Sequence, residues 1–329
     1  MRNDKYLISI CLLSVLIISF LFLIYKYENR NERSDNMSFN DNISSINSKI
    51  KTSSIKVNTD KKSSSDVISS RPLVNEISSI KVNYSYSNKV AVLAYHHFLK
   101  RSDKKLYQKN NQYVISTEQF EMQMKYLKNN GYNSISIDNL YCFVERKCSV
   151  PSKAFLITID DGNVSSYKYA LPILEKYGFY SVNFVISSRI GFHDEFNPST
   201  LQFLNQEEVD DIITNHKLMT IGSHSHALHN LINGVMPKEV LSFNELVDDL
   251  NVSKEKLHTE YFCYPFGQYN DKYIAALKAS HYKLAFTFNK NGFVHRNDNL
   301  YTLKRINVKS SNSYTEKLFE KLIQKYDNN

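Results

Sequence analysis

Tryptophan is absent from this chain of 329 residues, so any aromatic surface rests on its 23 Tyr and 19 Phe. Cysteine is scarce as well, with Cys11, Cys142, Cys148 and Cys263 the only four. Their spacing matches no zinc motif and leaves one close pair, Cys142 and Cys148, which an oxidising exterior could join or leave as free thiols. No internal repeat is found. Basic helices and strands that interleave aromatic with basic residues are also missing, so the net charge of +8 does not point to nucleic acid. Dispersed Lys and Arg instead suit a surface that works beside an anionic envelope.

What the chain does have begins with an uncharged run at residues 6–25, "YLISICLLSVLIISFLFLIY". Its length is that needed to cross a hydrocarbon core of roughly 30 Å. Arg2 and Lys5 precede it, Lys26 and Arg30 follow it, and no small-x-small cleavage site closes it. Residues 1–27 are therefore expected to form an uncleaved signal anchor. Lipidation at Cys11 is disfavoured by the bulk of Ile10 and by the apolar run continuing past it. From 28 to 88 the composition turns to Ser, Asn, Lys and Asp, which cannot bury enough apolar surface to offset ordering entropy. This stretch is expected to be a disordered tether holding an extracellular domain, residues 89–329, at the cell membrane.

Within that domain short apolar runs alternate with amphipathic stretches. "KVAVLAYHHF", "NSISI", "SVPSKAFLITID", "YSVNFVIS" and "KLMTIGSHS" read as strands. "STEQFEMQMKYLKNNGY" reads as a helix with Ser116 or Thr117 at its cap, Phe120, Met124 and Leu127 on one face, and Gly131 as its stop. Such alternation predicts an α/β fold with a mainly parallel sheet, open or closed, and its length favours a (β/α) barrel. Chemistry in that architecture gathers at the C-terminal ends of strands.

Three polar clusters fall at such ends. Asp160 and Asp161 close an apolar run just before Gly162, and two adjacent carboxylates near a low-dielectric core call for a cation or a shared proton. His224, His226 and His229 follow another strand, and neutral imidazole is a common ligand of zinc and similar cations. Periodicity alone does not choose which two of the three act together. One carboxylate with two histidines leaves a catalytic metal open positions for water and substrate, while the second carboxylate is free to act as general base. In "YFCYPFGQYN", Pro265 and Gly267 stiffen a turn able to aim a backbone N–H at a developing oxyanion.

These residues resemble a family. "LITIDDG", "SHSHALH" and "YPFGQYN" are similar in order and spacing to the three motifs of the polysaccharide deacetylases, carbohydrate esterase family four. The histidine before the "DDG" strand in "LAYHHF", and the four residues between His224 and His229, resemble the branch that deacetylates poly-β-1,6-N-acetylglucosamine of the biofilm matrix. The resemblance implies a distorted (β/α) barrel and a metal-dependent N-deacetylase of an extracellular polysaccharide. It also implies Asp160 as base, Asp161, His224 and His229 as metal ligands, and His96, ahead of His97, as the acid. The oxyanion and substrate contacts would come from Phe266, with Tyr264, Pro265 and Gly267 around it. His226 would be an outer partner of the ligands or solvent-facing. One divalent ion is expected, zinc ahead of cobalt, nickel or iron. The chain departs from the family where it lacks the base-orienting arginine of the third motif, and Arg305 in "LKRINV" is the candidate substitute.

Overall fold

The computed structural model describes residues 86–191 and 195–326. The expected anchor and nearly all of the expected tether lie outside the described residues. Among the described residues no helix is long and apolar enough to cross a membrane.

Seven strands are hydrogen-bonded in parallel and close on themselves: β1 (Lys89–Tyr95), β2 (Ala154–Ile159), β3 (Ser181–Val185), β4 (Met219–Ser223), β5 (Tyr261–Cys263), β6 (Leu284–Asn291) and β7 (Leu303–Asn307). Closure comes from β1, which pairs with β2 from Ala91↔Phe155 to Tyr95↔Ile159 and with β7 at Leu93↔Ile306. A barrel, rather than an open sheet, is thus the outcome. Its rim carries short additions, Val294–His295 antiparallel to β1 and Tyr86–Ser87 antiparallel to Val150–Pro151. Strand pairing is thus already present at Tyr86–Ser87, ahead of the expected domain start at 89.

Helices α1 (Thr117–Asn129), α2 (Ile137–Val144), α3 (Leu171–Tyr177), α4 (Gln206–Asn215), α5 (Phe243–Leu257), α6 (Asp271–Ala279) and α7 (Glu316–Gln324) accompany the strands. Ser116 caps α1 by accepting the Gln119 N–H, and Phe120, Met124 and Leu127 are fully buried as the helical spacing predicts. "NSISI" departs from expectation. Only Asn133–Ser134 is strand, because the Ser136 hydroxyl accepts the Asn139 N–H and starts α2 where alternation alone reads β. Within "VLSFNELVDDLNVSKEKLH" the helix starts only after Ser242, where the Ser242–Glu245 capping box begins α5.

Alternate residues of one strand serve different cores, as a period of two requires. Ala91, Leu93 and Tyr95 pack with Phe120 and Met124 of α1. Val92, Leu156, Phe184, Cys263 and Phe286, drawn from five barrel strands, fall in a second cluster together with Leu140 and Phe143 of α2. A third cluster joins Leu246 and Leu250 of α5 to Tyr273 and Leu277 of α6 beneath Phe262. Burial at roughly 25 cal/mol per Å² of apolar surface makes these the main stabilising contacts.

Candidate active site

The barrel interior turns polar at the C-terminal ends of its strands. Asp160 lies one residue beyond β2, is 2% exposed, and has its backbone N–H bound to the Tyr95 carbonyl of β1. Arg305 of β7 is wholly buried beneath it and binds both carboxylate oxygens, Nη1 to Oδ1 at 2.7 Å and Nη2 to Oδ2 at 2.8 Å. The guanidinium is itself anchored, donating from Nε to the Thr287 carbonyl and from Nη1 to the Thr158 hydroxyl. Burial alone would raise the Asp160 pKa, but the paired guanidinium overrides it and holds the carboxyl well below the usual carboxylate range. Fork-to-fork pairing fixes orientation as well as charge.

Asp161 takes the opposite direction. Its φ of 78° is a left-handed conformation that a non-glycine residue adopts at a cost of about 1–3 kcal/mol. That turn separates two side chains that a continued strand would also have sent to opposite faces, and it brings Asp161 back over the rim. There its Oδ1 lies 3.6 Å from His224 Nε2 and 3.4 Å from His229 Nε2. The three ligand atoms all lie within 4.8 Å of one another. A tetrahedral ion with bonds of about 2.0–2.2 Å sets its ligand atoms roughly 3.4 Å apart, so the observed carboxylate–imidazole spacings fit a divalent cation.

The imidazoles are presented in the form a metal needs. His224 donates Nδ1–H to the Cys263 carbonyl at 2.7 Å, which leaves the Nε2 lone pair facing Asp161. Burial lowers the His224 pKa to about 4 and shifts that of His229 downward too, so both rings are neutral near pH 7. The loop carrying them is held from α5 and from the strand β3 side. The Asp249 carboxylate accepts the N–H groups of His226 and Ala227 at 2.8 and 2.7 Å, and Arg189 donates to the His229 carbonyl.

His96, just past β1, places Nε2 3.8 Å from Asp160 Oδ2, with its ring against Tyr113 and Phe288. His97 is 6% exposed and sits 2.7 Å from the Ser165 hydroxyl, away from the opening. His226 contacts the Ser187 hydroxyl and stays outside the ligand triangle. Of Tyr264, Pro265, Phe266 and Gly267, Phe266 alone is exposed; its ring is 4.3 Å from that of His229 and its φ is 57°. Tyr264 is a core residue packed on Phe262, Tyr269 and Tyr273, so its side chain supports the turn from below rather than lining the opening. Gly267 has φ +66°, and a Cβ there would come within 2.5 Å of the Phe288 backbone nitrogen. Gly267→Ala is expected to destabilise the fold by about 1–3 kcal/mol, measured by urea unfolding, and an unchanged midpoint would refute this account of the turn.

Cys142 and Cys148 are joined as a disulfide, and Cys263 is a free buried thiol whose Sγ lies 3.7 Å from Asp160 Oδ2. Asp249, Arg189 and the Cys263 carbonyl carry no motif signature. Each acts across a separation in sequence that only the folded chain closes.

Fold and site together define a (β/α) barrel whose strand ends gather a carboxylate and two imidazoles able to hold a metal ion. Residues 147–285 match the family model described as polysaccharide deacetylase. The chain thus carries a polysaccharide deacetylase domain, a domain of hydrolases that act on N-acetyl amide bonds. It is 27% identical over 259 residues to the poly-beta-1,6-N-acetyl-D-glucosamine N-deacetylase of Staphylococcus aureus strain MSSA476, covering 77% of this chain and 84% of the relative. A putative polysaccharide deacetylase, YxkH of Bacillus subtilis strain 168, is 27% identical over 60% of this chain and 67% of its own length. Among solved structures, Streptococcus pyogenes deacetylase PplD in complex with acetate superposes with a TM-score of 0.60 at 22% identity, covering 73% of this chain and 99% of that one. IcaB from Ammonifex degensii gives 0.59 at 24% identity, covering 71% and 97%. Those two likenesses bear on the fold.

Proposed function

We propose that the chain removes acetyl groups from an extracellular N-acetylglucosamine polymer, poly-β-1,6-N-acetyl-D-glucosamine in particular. The observation that carries this is the division between neighbouring carboxylates: Asp161 faces two neutral imidazoles, while Asp160 is clamped by Arg305 and faced by His96. The polymer is the one named for the Staphylococcus aureus relative.

On this reading Asp161, His224 and His229 hold one divalent ion, zinc by preference for a carboxylate with two imidazoles. Such an ion, when bound, polarises the amide carbonyl and acidifies water. The chain's own residues do the rest. Asp160, kept ionised by Arg305, receives the proton of the attacking water. His96, beside it, hands a proton to the departing nitrogen. The turn at Phe266 offers a backbone N–H to the developing oxyanion. Acetate leaves, and each free amine adds positive charge to the polymer. The apolar run at 6–25, outside the described residues, would keep this chemistry at the cell surface as a single-pass anchor.

The test is acetate release by the full-length chain from β-1,6-linked N-acetylglucosamine oligomers, with and without chelator. Release that chelator abolishes and added zinc restores is expected. Release from peptidoglycan but not from these oligomers would overturn the substrate assignment.

A further inference from the structure

A second concave feature lies outside the catalytic cluster. It opens between the short helix Arg101–Tyr107, which follows β1, and the segment after β7 around Ser310–Tyr314. Its volume is about 620 Å³, and Arg101, Lys104, Lys105 and Lys109 line it. Ser116, Ser310 and Ser311 add hydroxyl-bearing wall, and no Asp or Glu lines it among the described residues.

The local acids are turned to other tasks. Glu118 accepts the Arg101 backbone N–H at 3.1 Å, and Asp103 accepts the Ser102 hydroxyl. Among the described residues no carboxylate pairs with the side chains of Arg101, Lys105 or Lys109, all three exposed. Lys104 donates to the Gln108 and Asn111 carbonyls, which settles the helix end without cancelling its charge. The wall is fixed, because Gln119 donates to the Ser310 carbonyl and the Ser313 hydroxyl, and the Ser310 N–H binds the Gln112 carbonyl. Four cations are thus held around one cavity with no internal counter-ion. Like charges gathered around one concavity raise the local positive potential and favour an anion there.

We propose that this pocket binds the phosphate groups of a soluble phosphodiester chain. Three lysines to one arginine, beside serine hydroxyls, suit phosphate better than carboxylate: ammonium groups act as point charges on phosphate oxygens, whereas planar carboxylate recognition favours the arginine fork. Concavity selects a chain that can enter over a flat bilayer. The pocket wall is linked to the catalytic opening through Lys309, the residue before Ser310, which lies over the Tyr113 ring, and that ring is 5.1 Å from the ring of His96. A phosphate-bearing strand seated here would hold the enzyme beside anionic polymer without occupying the catalytic cluster. This inference does not rest on the deacetylase reading, and its test measures binding alone.

Glycerol phosphate oligomers are titrated into the full-length chain by calorimetry at low ionic strength, and phosphatidylglycerol vesicles are run in parallel. The parent is expected to bind the oligomer, with affinity falling as salt rises. Lys105→Ala with Lys109→Ala is expected to weaken it by about tenfold or more, as loss of two charged contacts implies. A pair with the same charge change elsewhere, Lys125→Ala with Lys256→Ala, is expected to stay within about twofold. An equal loss in both pairs would mean general attraction to a basic protein, and the proposal fails. It fails as well if the parent leaves the soluble oligomer unbound, or if the Lys105 and Lys109 changes weaken only vesicle binding.

Discussion

An Arg305→Met chain is expected to lose about 3–5 kcal/mol of folding stability at neutral pH, because it leaves the Asp160 carboxylate buried without its partner. The loss should depend on pH with a defined sign. In the parent, Arg305 holds the Asp160 pKa below its unfolded value, so the pair's contribution is present above about pH 4 and fades as pH falls toward the folded value. Without the guanidinium, burial pushes the same carboxyl upward, so the variant is penalised progressively as pH rises above about 4. The gap between parent and variant should therefore narrow in acid. Urea unfolding at pH 7 and pH 3.5, with chelator present so that metal binding does not enter, measures it. Adding Asp160→Asn to Arg305→Met should recover part of the loss, the non-additivity expected of a contacting pair. A pH-independent loss, or strict additivity, would show that Arg305 acts through packing alone.

Asp160→Asn is expected to lower turnover by roughly 100- to 10,000-fold, the range for removing a general base. Bound metal should remain at the parent level, because the triangle of Asp161, His224 and His229 does not include Asp160. Asp161→Asn should do the reverse in mechanism: activity falls because metal occupancy falls, and excess zinc restores part of it. The same buried region contains another close group, Asp160, His224 and Cys263, in which His224 is shared. The direction in which the His224 Nδ1–H points, toward the Cys263 carbonyl, assigns its free Nε2 to the Asp161 side. Metal content by elemental analysis, set beside acetate release for each variant, separates the two carboxylates. Parent-like turnover in Asp160→Asn, or equal metal loss in both variants, would dissolve the division of labour.

Reading the motif residues in order already placed the two carboxylates and the three histidines at strand ends, because apolar runs of strand length that stop at charged residues mark where a chain leaves a core. It offered Arg305, on the last strand, only as a substitute for the arginine that the third motif lacks. The structure supplies a reason that no local pattern contains: β7 closes the barrel against β1, so a side chain near the end of the sequence projects under Asp160, 145 residues away. Tyr264 illustrates the opposite error. Its place beside the proline turn reads as substrate contact, yet strand alternation turns its ring into the α5 and α6 core.

By itself the sequence determined which chemistry was at hand: an acidic doublet, imidazoles, a rigid turn, and a β/α rhythm able to bring strand ends together. Local composition and spacing carry that much, since they depend on neighbours a few residues apart. Spacing left open which carboxylate meets the imidazoles and which histidines pair, the motif resemblance named them, and the tertiary structure brings them together, sets Arg305 on Asp160 and gathers four cations around one cavity. Those choices turn on one left-handed residue, Asp161, and on closure of the barrel, which is made by pairings between strands far apart in sequence that no short window records.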